Sequence, residues 1–343
     1  MYRYERVDVP DGLRLHLNEN TAGCSPAVMR ALADLTRHDA AFYPDYAAAH
    51  EACAAWLGVS PDAVLLTNGL DEGILAITAA AFAREASPEA IVIVPAFDMY
   101  AAVADALGGH VTEVPLEPGF TFPLAGVVTA LTPRTRLVWI TDPHNPTGQP
   151  VPPDAILQIA AAAPNALVVV DEAYADFAGT SLLEARAFAR LPNLVVGRTF
   201  AKAHGLAGLR AGVLVANPPT LEAIRAIVPP YSINAWAARA LPAALGDREY
   251  YAWYLAEAER SKALLYAVFE SRGIEYWRSA ANFVLARPAN ASALVGALAR
   301  KGIHIRDKSR DPGCAGCIRV TAGVVAHTQA FIAALEEVLC GGE

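Results

Sequence analysis

Across residues 64–215 the chain alternates short, almost wholly apolar runs with longer stretches of helical periodicity, and this rhythm narrows the fold more than any other feature. Parallel strands need long crossover connections and bury both faces, so unbroken apolar runs separated by helices indicate an α/β domain around a mostly parallel sheet. The pattern predicts seven strands, at 63–67, 90–94, 110–114, 136–141, 166–170, 193–198 and 208–216. Crossover helices are expected at 71–84, 96–107, 124–131 and 153–163, and the seven-stranded sheet should be flanked by them.

After residue 216 the texture changes. Asn217, Pro218 and Pro219 form a breaker, and helical stretches follow at 220–227, 235–245 and 248–271. The last of these is long enough to carry the chain into a smaller α+β domain, with strands at 282–286, 304–306 and 317–321 and helices at 291–301 and 326–339. The expected organisation is an N-terminal segment at 1–40 that contributes to the small domain and to a dimer contact, a large domain at 41–245 and a small domain at 246–343. A helix at 26–35 and a turn at Tyr43 lie before the large sheet begins.

Composition excludes several classes of function. At 343 residues, 54% hydrophobic and 18% charged, the chain is large and apolar enough to bury about two cores. Its formal charge of −8, without a dense Lys/Arg run, argues against a nucleic-acid footprint or a polybasic membrane patch. The apolar runs break well short of the ~20 residues a transmembrane helix needs. The N-terminal MYRYERVDVPDG lacks the apolar stretch and cleavage site of a secretory leader, so a cytoplasmic location is expected. Five cysteines are an odd number for a disulfide framework, and the CAGC at Cys314 and Cys317 has no second pair to complete a metal site, so it reads as a loop that contains two thiols. No metal site is expected.

The motifs point to one chemistry. RTFAKAHGLAGLR, at 198–210, sets Lys202 just past a predicted strand and Arg210 across a glycine-rich connector. A lysine in a partly desolvated pocket can form a Schiff base with an aldehyde, and an arginine nearby neutralises a phosphate, which together suggest pyridoxal phosphate. Asp171 in LVVVDEAYADF ends an apolar strand, where ligands bind in open α/β sheets and where a carboxylate can keep a pyridine nitrogen protonated. Tyr174 follows within reach of the ring's hydroxyl oxygen. Asn145, bracketed by Pro143 and Pro146, is held in a fixed turn at another strand end. TNGLDEG opens a helix after a strand, so the backbone of Gly69, Leu70 and Asp71 offers helix-start N–H groups to a phosphate. Tyr100 in PAFDMY is placed to stack on a flat ring, and Arg319, inside an apolar strand, demands an anionic partner such as an α-carboxylate.

NEN at Asn18, GLDE, PAFDMY, NPTG, DEAYADF, RTFAKAHGLAGLRAG, NFVL and IRVTAG occur in this order over nearly the whole chain. The set resembles the fold-type I pyridoxal-phosphate-dependent aminotransferases of class I/II, and most closely the histidinol-phosphate aminotransferase branch. The resemblance implies that Lys202 is the Schiff-base lysine and moves the substrate's Cα proton. It implies that Asp171 pairs with the pyridine nitrogen, that Asn145 and Tyr174 hold the ring hydroxyl, and that Tyr100 stacks. Arg210 and the backbone at Gly69, Leu70 and Asp71 would hold the cofactor phosphate. Tyr43 would reach the neighbouring subunit's site, so a homodimer is implied. Arg319, Arg306, Asn20 and Asn145 would contact an amino donor and a 2-oxo acid acceptor.

Departures from that branch bear on the substrate. Thr21 and Ala22 stand where it has Pro-Tyr, a tyrosine that helps hold the substrate phosphate, so the donor is left open. Ala201 replaces a phosphate-binding serine, Leu70 a small polar residue, His144 an asparagine and His204 an aromatic, and both histidines read as packing variants. Within the same fold the alternative is a decarboxylase resembling the threonine-phosphate decarboxylases. From another class, the alternative is a non-catalytic ligand-binding regulator, disfavoured because no basic or winged-helix segment precedes Asn18.

Overall fold

A computed structural model describes residues 8–184 and 191–340. Residues 1–7 and 341–343, the outer ends of the expected N-terminal segment and small domain, therefore lie outside the described residues. The chain begins with β1 (Leu13–Leu15), α1 (Pro26–Ala33), α2 (Arg37–Ala41) and α3 (Ala47–Leu57). The large sheet and its crossovers follow as β2 (Val64–Thr67), α4 (Gly69–Phe82), β3 (Glu89–Val94), α5 (Met99–Ala106), β4 (His110–Pro115), α6 (Leu124–Ala130), β5 (Thr135–Thr141), α7 (Pro153–Ala162), β6 (Leu167–Asp171), α8 (Ala175–Ala178), β7 (Leu194–Thr199) and β8 (Gly212–Ala216). Helices α9 (Pro218–Arg225), α10 (Ala235–Gly246) and α11 (Arg248–Ser271) lead to β9 (Glu275–Trp277), β10 (Phe283–Arg287), α12 (Ala291–Arg300), β11 (Ile303–Asp307), β12 (Ile318–Thr321) and α13 (Val325–Cys340).

The seven-stranded sheet has the order β2-β8-β7-β6-β5-β3-β4. Strands β3 to β7 pair in parallel, and β8 runs antiparallel to both of its neighbours. Alternation along β5 shows how both faces are buried: Leu137 and Trp139 pack into one cluster with Ile74 and Ile77 of α4, while Val138 and Ile140 join Ile156 and Ile159 of α7 on the other side. The fold class is the α/β architecture expected. One strand is shorter than expected, because a 3-10 turn at Ala207–Leu209 and a left-handed Arg210 (φ 56°) occupy the start of the 208–216 window.

The second sheet has the order β1-β11-β12-β10-β9, and β1, from the N-terminal segment, pairs in parallel with β11. The same segment then packs α1 against the large domain, with Val28 buried among Ala237, Ala238 and Leu241 of α10. Residues 13–33 thus run between the two sheets.

Candidate active site

The carboxyl ends of β5 and β6 stop in register, Thr141 beside Asp171, and Asp171 pairs with Gly197 of β7, which runs two residues further. Here the parallel sheet has no strand to continue it, and a cavity of about 290 Å³ opens. Lining it are Leu70, Asp71, Tyr100, Asn145, Asp171, Tyr174, Lys202, Arg210, Arg306 and Arg319, ten of the side chains anticipated from sequence.

Asp171 is buried and doubly held: the Tyr100 hydroxyl donates to Oδ2 at 2.5 Å and the Ala173 N–H to Oδ1 at 2.9 Å. Burial pushes its carboxyl up to about 6, against the pull of those two hydrogen bonds and of the Lys202 charge. Tyr100, expected to stack on a flat ring, has a second task. Its ring stacks on Trp139 at 4.6 Å and 8°, it is 1% exposed, and its hydroxyl is engaged by Asp171. Trp139 covers one ring face and the hydroxyl is turned to the carboxylate, so Tyr100 positions Asp171 from the cavity wall. The aromatic of the same motif that also lines the cavity is Phe97, set edge-on to Tyr100.

Lys202 sits in a loop pinned by hydrogen bonds from Phe200 N–H to Ala211 and from Leu206 N–H to Phe200. Its Nζ donates to the Leu17 carbonyl at 2.9 Å and lies 5.9 Å from the centre of the Tyr174 ring. Gly205 (φ +70°) is required there, since a Cβ would come within 2.4 Å of the Gly23 carbonyl oxygen. Asn20, expected at the substrate, has other partners. It lies outside the cavity lining, with Nδ2 donating to the Ala203 carbonyl and Oδ1 accepting from the Ala22 N–H, so it fastens the N-terminal segment to the lysine loop.

Asn18, in the same NEN motif, reaches the cavity instead. Its Nδ2 donates to the Tyr174 hydroxyl at 3.0 Å, which leaves the phenolic proton to be donated into the cavity. Its Oδ1 accepts from Thr321, and its carbonyl accepts from Asn282. The motif alone does not reveal this role: simple alternation would set Asn18 and Asn20 on one side, and the left-handed backbone at Asn18 (φ 56°) parts them.

At the start of α4, Arg210 lies over Gly69, where a Cβ would meet Nη2 at 2.5 Å, and its Nη2 pairs with Asp71 at 2.7 Å. Gly69 is buried beneath the guanidinium and does not itself line the cavity. Thr199, not anticipated, lines the same corner beside Ala201, and its hydroxyl accepts from the Ala201 N–H.

Arg319 is 7% exposed and has only neutral partners, Asn145 Oδ1 at 2.5 Å and the His16 carbonyl at 2.8 Å, while its Nε is buried without a partner among the described residues. Arg319's grip on Oδ1 leaves the Asn145 amide N–H groups for the cavity. Arg306 stands directly opposite Arg319 in the β11–β12 register. Tyr43 lies outside this cavity, 77% exposed and stacked on Tyr231 at 4.1 Å. His144 and His204 are buried, and burial pushes each down to about 4; His144 bonds Thr147, and His204 packs among Trp56, Phe200 and Tyr251.

Comparison with known proteins places this geometry. The family model for aminotransferase class I and II matches residues 10–335. Histidinol-phosphate aminotransferase 2 of Carboxydothermus hydrogenoformans is 35% identical over 338 residues, covering 95% of this chain and 91% of that protein. The crystal structure of histidinol-phosphate aminotransferase from Sinorhizobium meliloti in complex with pyridoxal-5'-phosphate superposes with a TM-score of 0.86 at 26% identity, over 96% of this chain and 92% of that one. L-threonine-O-3-phosphate decarboxylase from Porphyromonas gingivalis shares the fold, at a TM-score of 0.81 and 23% identity, over 95% and 99% of the two chains. A sheet-end cavity holding Lys202, Asp171 and Arg210, and a family match over nearly the full length, make this chain a member of the class I and II aminotransferases, enzymes dependent on pyridoxal phosphate.

Proposed function

We propose that this enzyme moves the amino group of an L-amino acid or amino-alcohol phosphate to a 2-oxo acid, as a cytoplasmic homodimer resembling the histidinol-phosphate aminotransferases. The observation that carries the reading is the orphaned, buried Arg319 facing the same cavity as Lys202 and Asp171: a guanidinium with neutral partners calls for the anionic end of a donor.

The residues suit the cofactor. The N–H groups at the start of α4, the Arg210 guanidinium and the Thr199 hydroxyl gather at one corner as a phosphate cradle. Asp171 lies at the strand end where a protonated pyridine nitrogen would relieve its buried charge, and the Asn145 amide and Tyr174 hydroxyl supply two donors for a ring oxygen. Phe97 is assigned the stacking face. When bound, pyridoxal phosphate supplies a carbonyl for the amine and an electron sink for the electrons left at Cα.

The protein's own steps are few. Arg319 binds the donor's carboxylate, or its phosphate in an amino-alcohol phosphate, and fixes the orientation of Cα. Lys202 Nζ would take the Cα proton and return it to the carbon on the far side of the amino nitrogen, a general acid–base task that needs one mobile amine. The Leu17 carbonyl, 2.9 Å from Nζ, gives that amine a resting partner. Tyr43 is assigned to the neighbouring subunit's phosphate cradle, supported by its exposure beside Phe42 and Tyr231. The free state of all five cysteines supports a reducing compartment.

The test is a single-turnover absorbance screen of the loaded enzyme with glutamate, phenylalanine, L-histidinol phosphate and phosphothreonine. Conversion to the pyridoxamine form by any of them supports transamination and names the donor. Carbon dioxide release without that form overturns it in favour of the decarboxylase alternative. Lys202→Ala should lose the Schiff-base absorbance and at least ~10²-fold in turnover; a variant with full activity would remove Lys202 from the chemistry.

A further inference from the structure

Beyond the donor's reacting end, the cavity wall formed by the small sheet carries an unexplained concentration of charge. Arg306 and Arg319 face each other directly across β11 and β12, a like-charge pairing that costs stability unless an anion sits between or beside them. Lys308 lies two residues beyond Arg306 on the same side and also lines the cavity. Three cations therefore meet on one wall, Arg319 buried and Arg306 and Lys308 half-buried, and Asp311 is paired with Lys308 there. Glu19 and Asp71, elsewhere on the lining, are paired with Arg14 and Arg210.

Asp311, whose charge also acts on Arg319, is held in place against this wall. Its loop is a closed series of tight turns, in which Asp311 N–H donates to Lys308, Cys314 N–H to Asp311, Cys317 N–H to Cys314, and Lys308 N–H back to Cys317, all at 2.9–3.0 Å. Cys314 and Cys317, both fully buried, plug the loop against Leu285 and Phe120. The CAGC thus has a packing role that fixes Asp311 beside Lys308. Burial and the two arginines push the Lys308 ammonium below its usual range, opposed by Asp311, as expected for a cation waiting on a second anion.

We propose that Lys308 is a specificity-determining residue that receives a second, distal anionic group of the substrate, a carboxylate or a phosphate monoester, with Asp311 as the fixed carboxylate that moderates its charge. The proposal rests on the aminotransferase reading, in which Arg319 takes the first anion and Arg306 lies between the two. A neutral side chain would leave Asp311 as the one carboxylate held against Lys308 and offer no anion to Arg306 beside it, so the wall favours anionic donors over neutral ones.

The experiment titrates the pyridoxal-phosphate-loaded enzyme with three unreactive ligands, following the cofactor absorbance: glutarate, 3-phosphonopropionate and valerate. The unsubstituted enzyme should bind at least one of the two doubly anionic ligands about tenfold or more tightly than valerate, the size of a charge-assisted hydrogen bond. Whichever of the two it prefers identifies the distal group. Lys308→Gln should reduce that ratio about tenfold while leaving the valerate affinity in place, and Asp311→Asn should increase it. A ratio near one in the unsubstituted enzyme, or equal weakening of all three ligands by Lys308→Gln, overturns the proposal. Transamination of amino donors is measured in parallel, so a failure of the aminotransferase reading shows as absent turnover, separately from the binding ratios.

Discussion

At the level of single residues, the buried carboxylate of Asp171 gives the most direct prediction. Its folded-state value of about 6 lies above the ordinary 3.8, so the folded cofactor-free protein holds this proton more tightly than the unfolded chain does. The sign follows: stability from this group is full below about pH 4, falls as pH rises through 6, and levels off above, a change on the order of 3 kcal/mol. Asp171→Asn removes that slope. Denaturation of the cofactor-free wild type and variant from pH 4 to 8 should show the variant gaining relative stability as pH rises, while its turnover with bound cofactor drops. Curves that stay parallel across the range would mean that Asp171 is already ionised in the fold. Residue types and strand ends made Asp171, Lys202, Asn145 and Arg319 legible in the sequence, because each is a polar group forced into an apolar setting. Tyr100 and Phe97 were not separable that way: both are aromatics of one hexapeptide that line the cavity, and the cover that Trp139 lays on one face of Tyr100 comes from β5, far off in sequence. Asn18 was hidden for the same reason, since its partners Tyr174 and Thr321 come from distant segments.

At the level of elements, the all-apolar strands of the large sheet were readable because a parallel strand buried on both faces has little composition to choose from. Strands β1 and β9, three residues each, carry too short a pattern to register, and α3, with its run of alanines, has no apolar stripe to mark its buried face. The junction between α4 and β8 is the element contact on which the phosphate cradle depends. A Cβ on Gly212 would lie 2.7 Å from the Gly69 carbonyl carbon and 2.8 Å from the Leu70 nitrogen, and backbone atoms cannot swing aside as a side chain does. Gly212→Ala should therefore push the first turn of α4 out of place, cost about 1–3 kcal/mol of stability and weaken pyridoxal phosphate binding tenfold or more. Gly208→Ala, with nothing within 4 Å of its Cβ, is the control and should bind normally. Absorbance titration of both variants with the cofactor checks the pair, and equal affinities would show that the first turn of α4 does not hold the phosphate.

At the level of the molecule, the N-terminal segment ties the two sheets together. β1 extends the small sheet, Asn20 reaches the lysine loop, Thr21 accepts from the Val324 N–H before α13, the Tyr250 hydroxyl donates to the Gly23 carbonyl, and α1 packs on α10. None of these links has a local signature, so a reading of adjacent residues could place the segment only by resemblance. The segment's outer side bears Met29, Phe42 and Tyr43, continued by Tyr231 and Trp236, all more than a third exposed. An exposed aromatic group of this kind on a folded chain is suited to a two-fold contact between copies, in which the same patch meets itself. If Tyr43 serves the neighbouring site, then the two halves of each site come from different chains, and complementation follows. Lys202→Ala chains retain Tyr43, and Tyr43→Ala chains retain Lys202. A mixed dimer of the two therefore contains one site with both residues and one site with neither. Equal mixing under exchange should restore about a quarter of the unsubstituted activity, above the sum of the separate variants, with light scattering reporting a dimer throughout. Activity that only averages the two parents would place Tyr43 outside the neighbouring site, and a monomer by light scattering would remove the shared site altogether.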